Sequence, residues 1–568
     1  MPDGSTHNPF TTDAQLTLQD VFDLIAADTG LPVQRRRNLQ SALRAVGKLM
    51  KRDLALLPAH PRFYRDLFKD LHPEHCGLSQ SRISNIKSDL RAALRHTGCI
   101  EQGQAYLAPL TPVWQALRDD AEDAGVRARY LSRFMRYCSA NGISPNDVDD
   151  AVSERFRQAL IEESFVKDPV KTHQNICRLW NQAVDTVPGW PKARLTVPRT
   201  KEDYTLPLTA FRQSLQDDIA ALFDHWAGKD LLDDTGPPKP LAPRTLQGHD
   251  YKLRQILSAL VHQGRDMGEI TGLSQIVEVD AAKMVLRYFL DRSDNTLTSQ
   301  IHGLAILIKT IAKHWVKVDE DHLEELKALC NRVDPKQKGL TDKNRERLRQ
   351  FDDSRNIDLL LNFPARVVQA VLNNDRGRRR EAVAVQIALA VELLLMAPIR
   401  AANLVNIEID RHIVRTHNGR KGKTHLVIPG EEVKNGEPLE FELPEETVTL
   451  LDLYLREFHP RLADLPGPWL FPGGQGGPKT REFLGDQVSK RVFKETGLHV
   501  NLHLFRHIAA KLYLDQEPGG YEVVRRLLGH RSMDTTLSFY AGQETAAATR
   551  HYDDTVLKLR RNGKDKDR

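Results

Sequence analysis

The sequence carries no disulfide framework and no stretch able to span a membrane. Its five cysteines, Cys76, Cys99, Cys138, Cys177 and Cys330, are scattered and odd in number, which fits reduced thiols rather than paired bridges. No apolar run approaches the roughly eighteen residues that a spanning helix needs. Residues Met1 to His7 are polar and have no secretory leader pattern. The expectation is a cytoplasmic protein without membrane association. Glycines gather at Phe471-Pro-Gly-Gly-Gln-Gly-Gly477, but no Gly-Lys-Ser/Thr follows, which argues against a nucleotide-binding loop. His72-Pro-Glu-His75-Cys76 offers half a zinc site and finds no second ligand pair. Charge of one sign is also scarce. A net +5 over 568 residues is too mild for bulk charge alone to argue for nucleic acid. Basic runs are local, at Arg35–Arg37 and between Arg376 and Arg380.

What is present is helical periodicity. Leu39, Leu43, Val46 and Met50 recur at helical steps, as do Ile83, Ile86, Leu90 and Leu94. Tyr130, Leu131, Phe134, Met135 and Cys138 form one apolar face, and Tyr251, Leu253, Ile256, Leu257 and Leu260 another. The expected order is a disordered tail over 1–15, then helical domains over 16–110, 111–232 and 244–335. A charged linker over 336–356, a domain over 357–543 and a C-terminal helix and tail over 544–568 complete it. The run Asp233-Asp-Thr-Gly-Pro-Pro-Lys-Pro-Leu-Ala-Pro243 is the clearest connection. The three helical units share a layout: an amphipathic helix, a break (Arg52-Asp53, Asn141-Gly142 or Gln263-Gly264), a middle helix and a final apolar one. This reads as a degenerate repeat or as three generic bundles. From 411 to 443 the pattern turns to three short strands, with Asn435-Gly436 as a turn signal before the last.

The residues able to do chemistry lie near the end. His503 and Arg506 are one helical turn apart, His530 follows Leu528-Gly529, and Tyr540 comes ten residues later. Arg400 stands upstream in Met396-Ala-Pro-Ile-Arg400-Ala-Ala-Asn403, and Lys434 precedes Asn435-Gly436. Guanidinium forks grip phosphate oxygens in bidentate geometry. Histidine moves protons near neutral pH. A tyrosine hydroxyl can attack phosphorus and leave a covalent intermediate. The set therefore points to a phosphate-handling site.

At these residues the sequence resembles the tyrosine recombinase (phage integrase) family: arginine on a helix, lysine in a hairpin turn, His-x-x-Arg, Leu-Gly-His, then tyrosine. The resemblance covers roughly residues 370–550. It implies a mainly α chain, with helical, SAM-like, core-binding DNA-binding bundles before a mixed α+β catalytic domain holding a small sheet. It implies that Arg400, His503, Arg506 and His530 hold the scissile phosphate, Lys434 protonates the leaving 5′ oxygen, and Tyr540 is the nucleophile. Lys421 and Lys423 compete with Lys434. The implied reaction is cleavage and rejoining of DNA through a 3′-phosphotyrosyl link, for integration, excision or transposition of a mobile element. It needs neither ATP nor metal, so no cofactor is expected. Implied partners are double-stranded recombination sites, further copies of the chain in a tetramer, and accessory recombinase or DNA-bending proteins, at a bacterial nucleoid. The C-terminal segment reads equally as a packing arm for a neighbouring subunit or as a frayed tail. Two positions depart from the family pattern. Asn403 stands where a carboxylate is usual, and His530 to Tyr540 is ten residues where nine is usual. An extra helical residue turns a side chain by about 100°, so a bulge or loop before Tyr540 must absorb it. The alternatives are a non-catalytic DNA-binding accessory protein and a type IB topoisomerase-like activity.

Overall fold

The computed structural model describes residues 16–100, 108–198, 204–228, 240–336, 339–416, 422–463, 465–474 and 476–540, with Thr549, Tyr552, Asp553 and 555–558. The expected tail 1–15, Lys421 and most of the expected 544–568 helix and tail lie outside the described residues. The chain forms two compact units, one of 1–198 with 339–568 and one of 199–338. The fold is mainly α, with one small sheet of three strands among the described residues. Among those residues no helix is long and apolar enough to cross a membrane.

The first unit begins with two helical cores. In one, Val21 and Ile25 pack with Leu39, Leu43 and Val46 of the Val33–Met50 helix and with Ile86, Leu90 and Leu94 of the Gln80–His96 helix. Of the two serines at its start, Ser79 caps the latter, accepting from the Arg82 N–H at 3.2 Å. The second core gathers Trp114, Phe134, Met135, Phe156 and Trp180. Asn141-Gly142 ends the Ser132–Ala140 helix as expected, Gly142 adopting φ +66°.

The 199–338 unit has its own core, built from the helices Gln213–Trp226, Pro243–His262, Val279–Asp291, Ser299–Ile311 and Glu320–Arg332. This corrects the expected 111–232 domain. The Gln213–Trp226 helix does not close the preceding bundle. Its Leu215, Ile219, Leu222 and Trp226 are buried with Ile256, Leu260 and Ile308. Asp218 fixes it there, accepting from Trp315 Nε1 at 2.8 Å and from the Leu273 N–H at 2.7 Å. The Pro-rich run misleads because it separates two helices of one core, not two cores.

The rest of the first unit surrounds the Arg379–Met396 helix, buried on nearly every side. Such a helix is apolar all round because neighbours cover every face. Its start is capped by Glu381, which accepts from the Arg378 N–H at 2.8 Å. Strands β1 (Ile413–Thr416), β2 (Lys423–Ile428) and β3 (Leu439–Glu442) form an antiparallel sheet in the order β1-β2-β3. Leu426 pairs with Ile413 on one side and Phe441 on the other. Buried and more exposed residues alternate along β2, turning Thr424, Leu426 and Ile428 inward. The helices Arg481–Thr496 and Leu504–Gln516 complete the core.

A second correction concerns the expected charged linker over 336–356. Most of it is structured. Asp342–Arg349 is a helix, and Leu340, Leu348 and Phe351 enter the same core as the Arg379–Met396 helix. Lys511 reaches Asp352 at 2.7 Å. Three well-spaced apolar side chains are enough to seat this segment, while its charged side remains solvated.

Candidate active site

The site is built on three chain reversals. The first follows the buried Arg379–Met396 helix. Pro398 lacks an N–H and breaks the helix, and Arg400 then heads the short Ala401–Val405 helix. Arg400 is only partly exposed. Its Nη1 is buried and has no hydrogen-bond partner among the described residues. Burial lowers its pKa from the usual arginine value.

The second is the start of the Leu504–Gln516 helix, where Asn501 Oδ1 accepts from the Leu504 N–H at 2.9 Å. Arg506 on this helix is 4% exposed. Its Nη1 donates to Pro398 O and its Nη2 to Leu528 O, both at 2.6 Å. The side chain thus joins the Arg400 link to the Leu-Gly-His turn. Burial first, and then the charge of Arg400, push its pKa down to about 10. His503, one turn before, is held below the usual histidine value by desolvation and by the Arg506 and Arg400 charges.

The third is Leu528-Gly529-His530. Gly529 has φ +56°, and a Cβ there would sit 2.6 Å from Leu439 Cδ2, so both backbone and space call for glycine. His530 Nε2 lies 3.5 Å from Arg506 Nη2. A guanidinium only donates, so this nitrogen is the acceptor and the ring proton sits on Nδ1, which donates to Thr536 Oγ1 at 3.0 Å. Burial, then Arg506, Arg400 and Arg525, depress the His530 pKa to about 4.

Lys434 is exposed, in the connection between β2 and β3, and has no hydrogen-bond or ion-pair partner among the described residues. Asn435-Gly436 does turn the chain, Gly436 taking φ +78°. It forms part of a longer connection that also holds a 3-10 turn over Gly430–Glu432, rather than a minimal two-residue hairpin. Asn435 Nδ2 donates to Gly529 O at 2.8 Å, and Asn403 Nδ2 donates to Glu432 O at 3.0 Å. His412, buried, accepts from the Glu408 N–H at Nδ1 (2.8 Å) and so points Nε2–H at the Glu432 carboxylate, 3.1 Å away. The connection carrying Lys434 is therefore tied to the helix after Arg400 and to the His530 turn. Asn403 supplies a hydrogen bond where the family pattern has a charge. The competitor Lys423 is engaged with Glu442 at 2.7 Å.

Tyr540 is the last described residue of the Met533–Tyr540 helix, and Arg531 and Ser532 alone lie between that helix and His530. Tyr540 is 1% exposed and packs with Ala510, Leu514, Val524 and Leu528. Burial raises its pKa above the usual tyrosine value, and Arg506 opposes that rise. Its hydroxyl is 2.8 Å from Nδ1 of His507.

His507 is the residue that reading the motif as His-x-x-Arg passes over. Burial, His503, Arg506 and His530 depress its pKa to about 3. It is a neutral acceptor, so the tyrosine donates. The available signal was its place four residues after His503, on the same helix face. Arg400, His503, Arg506 and His530 are thus brought together, Tyr540 joins them through His507, and Lys434 comes by its backbone while its side chain stands in solvent.

Residues 362–546 match the sequence model of the phage integrase family. That segment is a phage integrase family domain. No curated protein matches the chain. Similar solved structures include the XerH site-specific recombinase bound to difH substrate in a pre-cleavage complex. It is 15% identical over 61% of this chain and 99% of that one, with a TM-score of 0.35. A lambda integrase (75–356) dimer bound to a COC′ core site is 14% identical over 56% and 96%, with a TM-score of 0.32. The Tn1549 transposon integrase (82–397) in complex with circular intermediate DNA is 16% identical over 59% and 99%, with a TM-score of 0.33.

Proposed function

We propose that the protein is a site-specific DNA recombinase that cleaves and rejoins DNA through a 3′-phosphotyrosyl intermediate. The observation that carries this reading is the pairing of Arg400 and Arg506. Two guanidiniums close enough for the charge of Arg400 to lower the pKa of Arg506 have no carboxylate partner among the described residues, and Arg400 keeps a buried Nη1 with no hydrogen-bond partner among them. A buried cation left so is costly. A phosphodiester is the anion whose geometry suits two forks. Arg400 and Arg506 hold its non-bridging oxygens, His503 adds a hydrogen bond, and His530 adds another in the tautomer that carries its proton on Nε2. Tyr540 attacks phosphorus, Lys434 protonates the departing 5′ oxygen, and a partner strand's 5′ hydroxyl reverses the step. Charge developing on the phosphoryl oxygens is met by donors already in place. The partners are double-stranded recombination sites, other copies of this chain in a tetramer, and accessory DNA-bending or recombinase subunits. The setting is the mobility of a genetic element at the bacterial nucleoid.

The test uses nicked duplexes drawn from DNA flanking the coding sequence. The wild type should give a covalent protein–DNA adduct on a denaturing gel, and Tyr540→Phe should give none. An adduct that survives in Tyr540→Phe moves the nucleophile to another tyrosine. Binding by the wild type without any adduct would favour an accessory DNA-binding role.

A further inference from the structure

His507 lies outside the six residues given roles above, yet it touches the atom that must react. Among the described residues it is the hydrogen-bond partner of the Tyr540 hydroxyl, at 2.8 Å. Both side chains are almost sealed, at 4% and 1% exposure. The His507 ring is fixed between the His503 ring, edge-on at 4.9 Å, and the Phe539 ring at 5.7 Å. It rides on the same helix as Arg506, one residue on, so the helix that orients the phosphate clamp also orients this imidazole. His503 and His530 show no such link to the tyrosine: His530 Nδ1 is taken up by Thr536 and its Nε2 faces Arg506.

Resting on the recombinase reading, we propose that His507 is a catalytic residue: it takes the Tyr540 proton during strand cleavage and returns it during rejoining. In cleavage the Tyr540 Oη–phosphorus bond forms and the Oη–H bond breaks, its proton passing to His507 Nδ1. The bond from phosphorus to the 5′ oxygen breaks, and that oxygen takes a proton from Lys434. In rejoining the 5′ hydroxyl attacks phosphorus and gives its proton to the Lys434 amine. The phosphotyrosyl bond breaks and His507 returns its proton to Tyr540. The two transfers balance, so the enzyme ends as it began. A neutral imidazole is the form required, and burial first, then the neighbouring His503, Arg506 and His530, keep it neutral. A phosphodiester anion held between Arg400 and Arg506 offsets the same field and makes the ring more basic when the transfer is due.

The experiment measures the rate of adduct formation on the nicked duplexes by wild type, His507→Gln and His507→Ala, with filter binding to the same DNA and thermal melting as controls. Glutamine keeps a hydrogen-bond acceptor and most of the volume but takes no proton. Adduct formation by His507→Gln should slow by roughly 10²- to 10⁴-fold, the range of a lost general base, with DNA binding retained. His507→Ala should be rescued by added imidazoles, at equal free-base concentration, at rates that rise with the imidazole pKa. Wild-type rates in His507→Gln, or rescue indifferent to imidazole pKa, would overturn the assignment and leave His507 a packing residue. Absence of an adduct with the wild type itself would instead overturn the recombinase reading on which the assignment rests.

Discussion

Arg400 and Arg506 carry the same charge and are held by different means. Arg506 donates to two backbone carbonyls, at Pro398 and Leu528, so it is part of the frame. Arg400 Nη1 is buried without a hydrogen-bond partner among the described residues, so the frame does not satisfy it. Arg506→Ala should therefore lower stability by about 2–4 kcal/mol, since it strands two buried acceptors of a charged donor, and abolish the adduct as well. Arg400→Ala should leave the melting midpoint unchanged or raise it, while adduct formation falls by roughly 10²- to 10³-fold. Paired melting and cleavage measurements separate the two; equal destabilisation by both would refute the distinction. The histidines give a pH dependence with a definite sign. Free histidine titrates near 6.5, whereas His507 and His530 are depressed to about 3 and about 4. Below about 6.5 the unfolded chain binds protons that the native site refuses. Stability must fall as pH drops through that window, by up to about 1.4 kcal/mol per unit for each group. Denaturation midpoints compared near pH 7.5 and pH 5 should show the loss, and His507→Gln should make it shallower.

At the scale of elements, the β2–β3 connection decides where Lys434 can act. Its lysine is free, but its neighbours are not: Asn435 ties it to Gly529 and Glu432 is tied to Asn403 and His412. Asn435→Ala should slow cleavage of an ordinary 5′-oxygen substrate by roughly tenfold, within what misplacing a general acid costs. It should have little effect on a substrate with a 5′-sulfur leaving group, which needs no proton. A loss equal on both substrates would show that the loop shapes the site and not the acid. These elements also show what the sequence could tell. The three strands were legible from alternation and the Asn-Gly signal, because each strand is short and one face is buried. The clustering of Arg400, His503, Arg506 and His530 was legible because each sits beside a helix-breaking or turn-forming residue. The pairing of His507 with Tyr540 was not. It depends on how two helices with a third, Tyr521–Leu527, between them in the chain pack together, which no local spacing encodes. The burial of Leu348 and Phe351 was hidden by the charge around them, and the Gln213–Trp226 helix was misassigned because a Pro-rich loop inside a domain looks like one between domains.

At the scale of the whole molecule, 199–338 is a separate unit that interrupts the other in sequence, after 198 and before 339. Within that other unit the N-terminal helices and the 339–540 region are in direct contact. His72 Nε2 lies 3.0 Å from Lys494 O, and Glu74 meets Arg355 at 3.0 Å. Gly497, at φ +75°, leaves room for the His75 ring, which a Cβ would approach to 2.4 Å. Gly497→Val should lower the melting transition of this unit, by a left-handed backbone penalty of about 1–2 kcal/mol plus the displaced contact. The transition of the 199–338 unit, followed by calorimetry, should not move; a shift of both would mean that the two units melt as one. The depth of Tyr540 has a further consequence, for chemical reactivity. Tyr552 is 67% exposed and Tyr540 is 1% exposed, so an iodinating or nitrating reagent applied to the free protein marks the former and spares the latter. The proposed nucleophile is sheathed by the chain's own side chains, and labelling at position 540 with DNA added reports whether binding uncovers the hydroxyl.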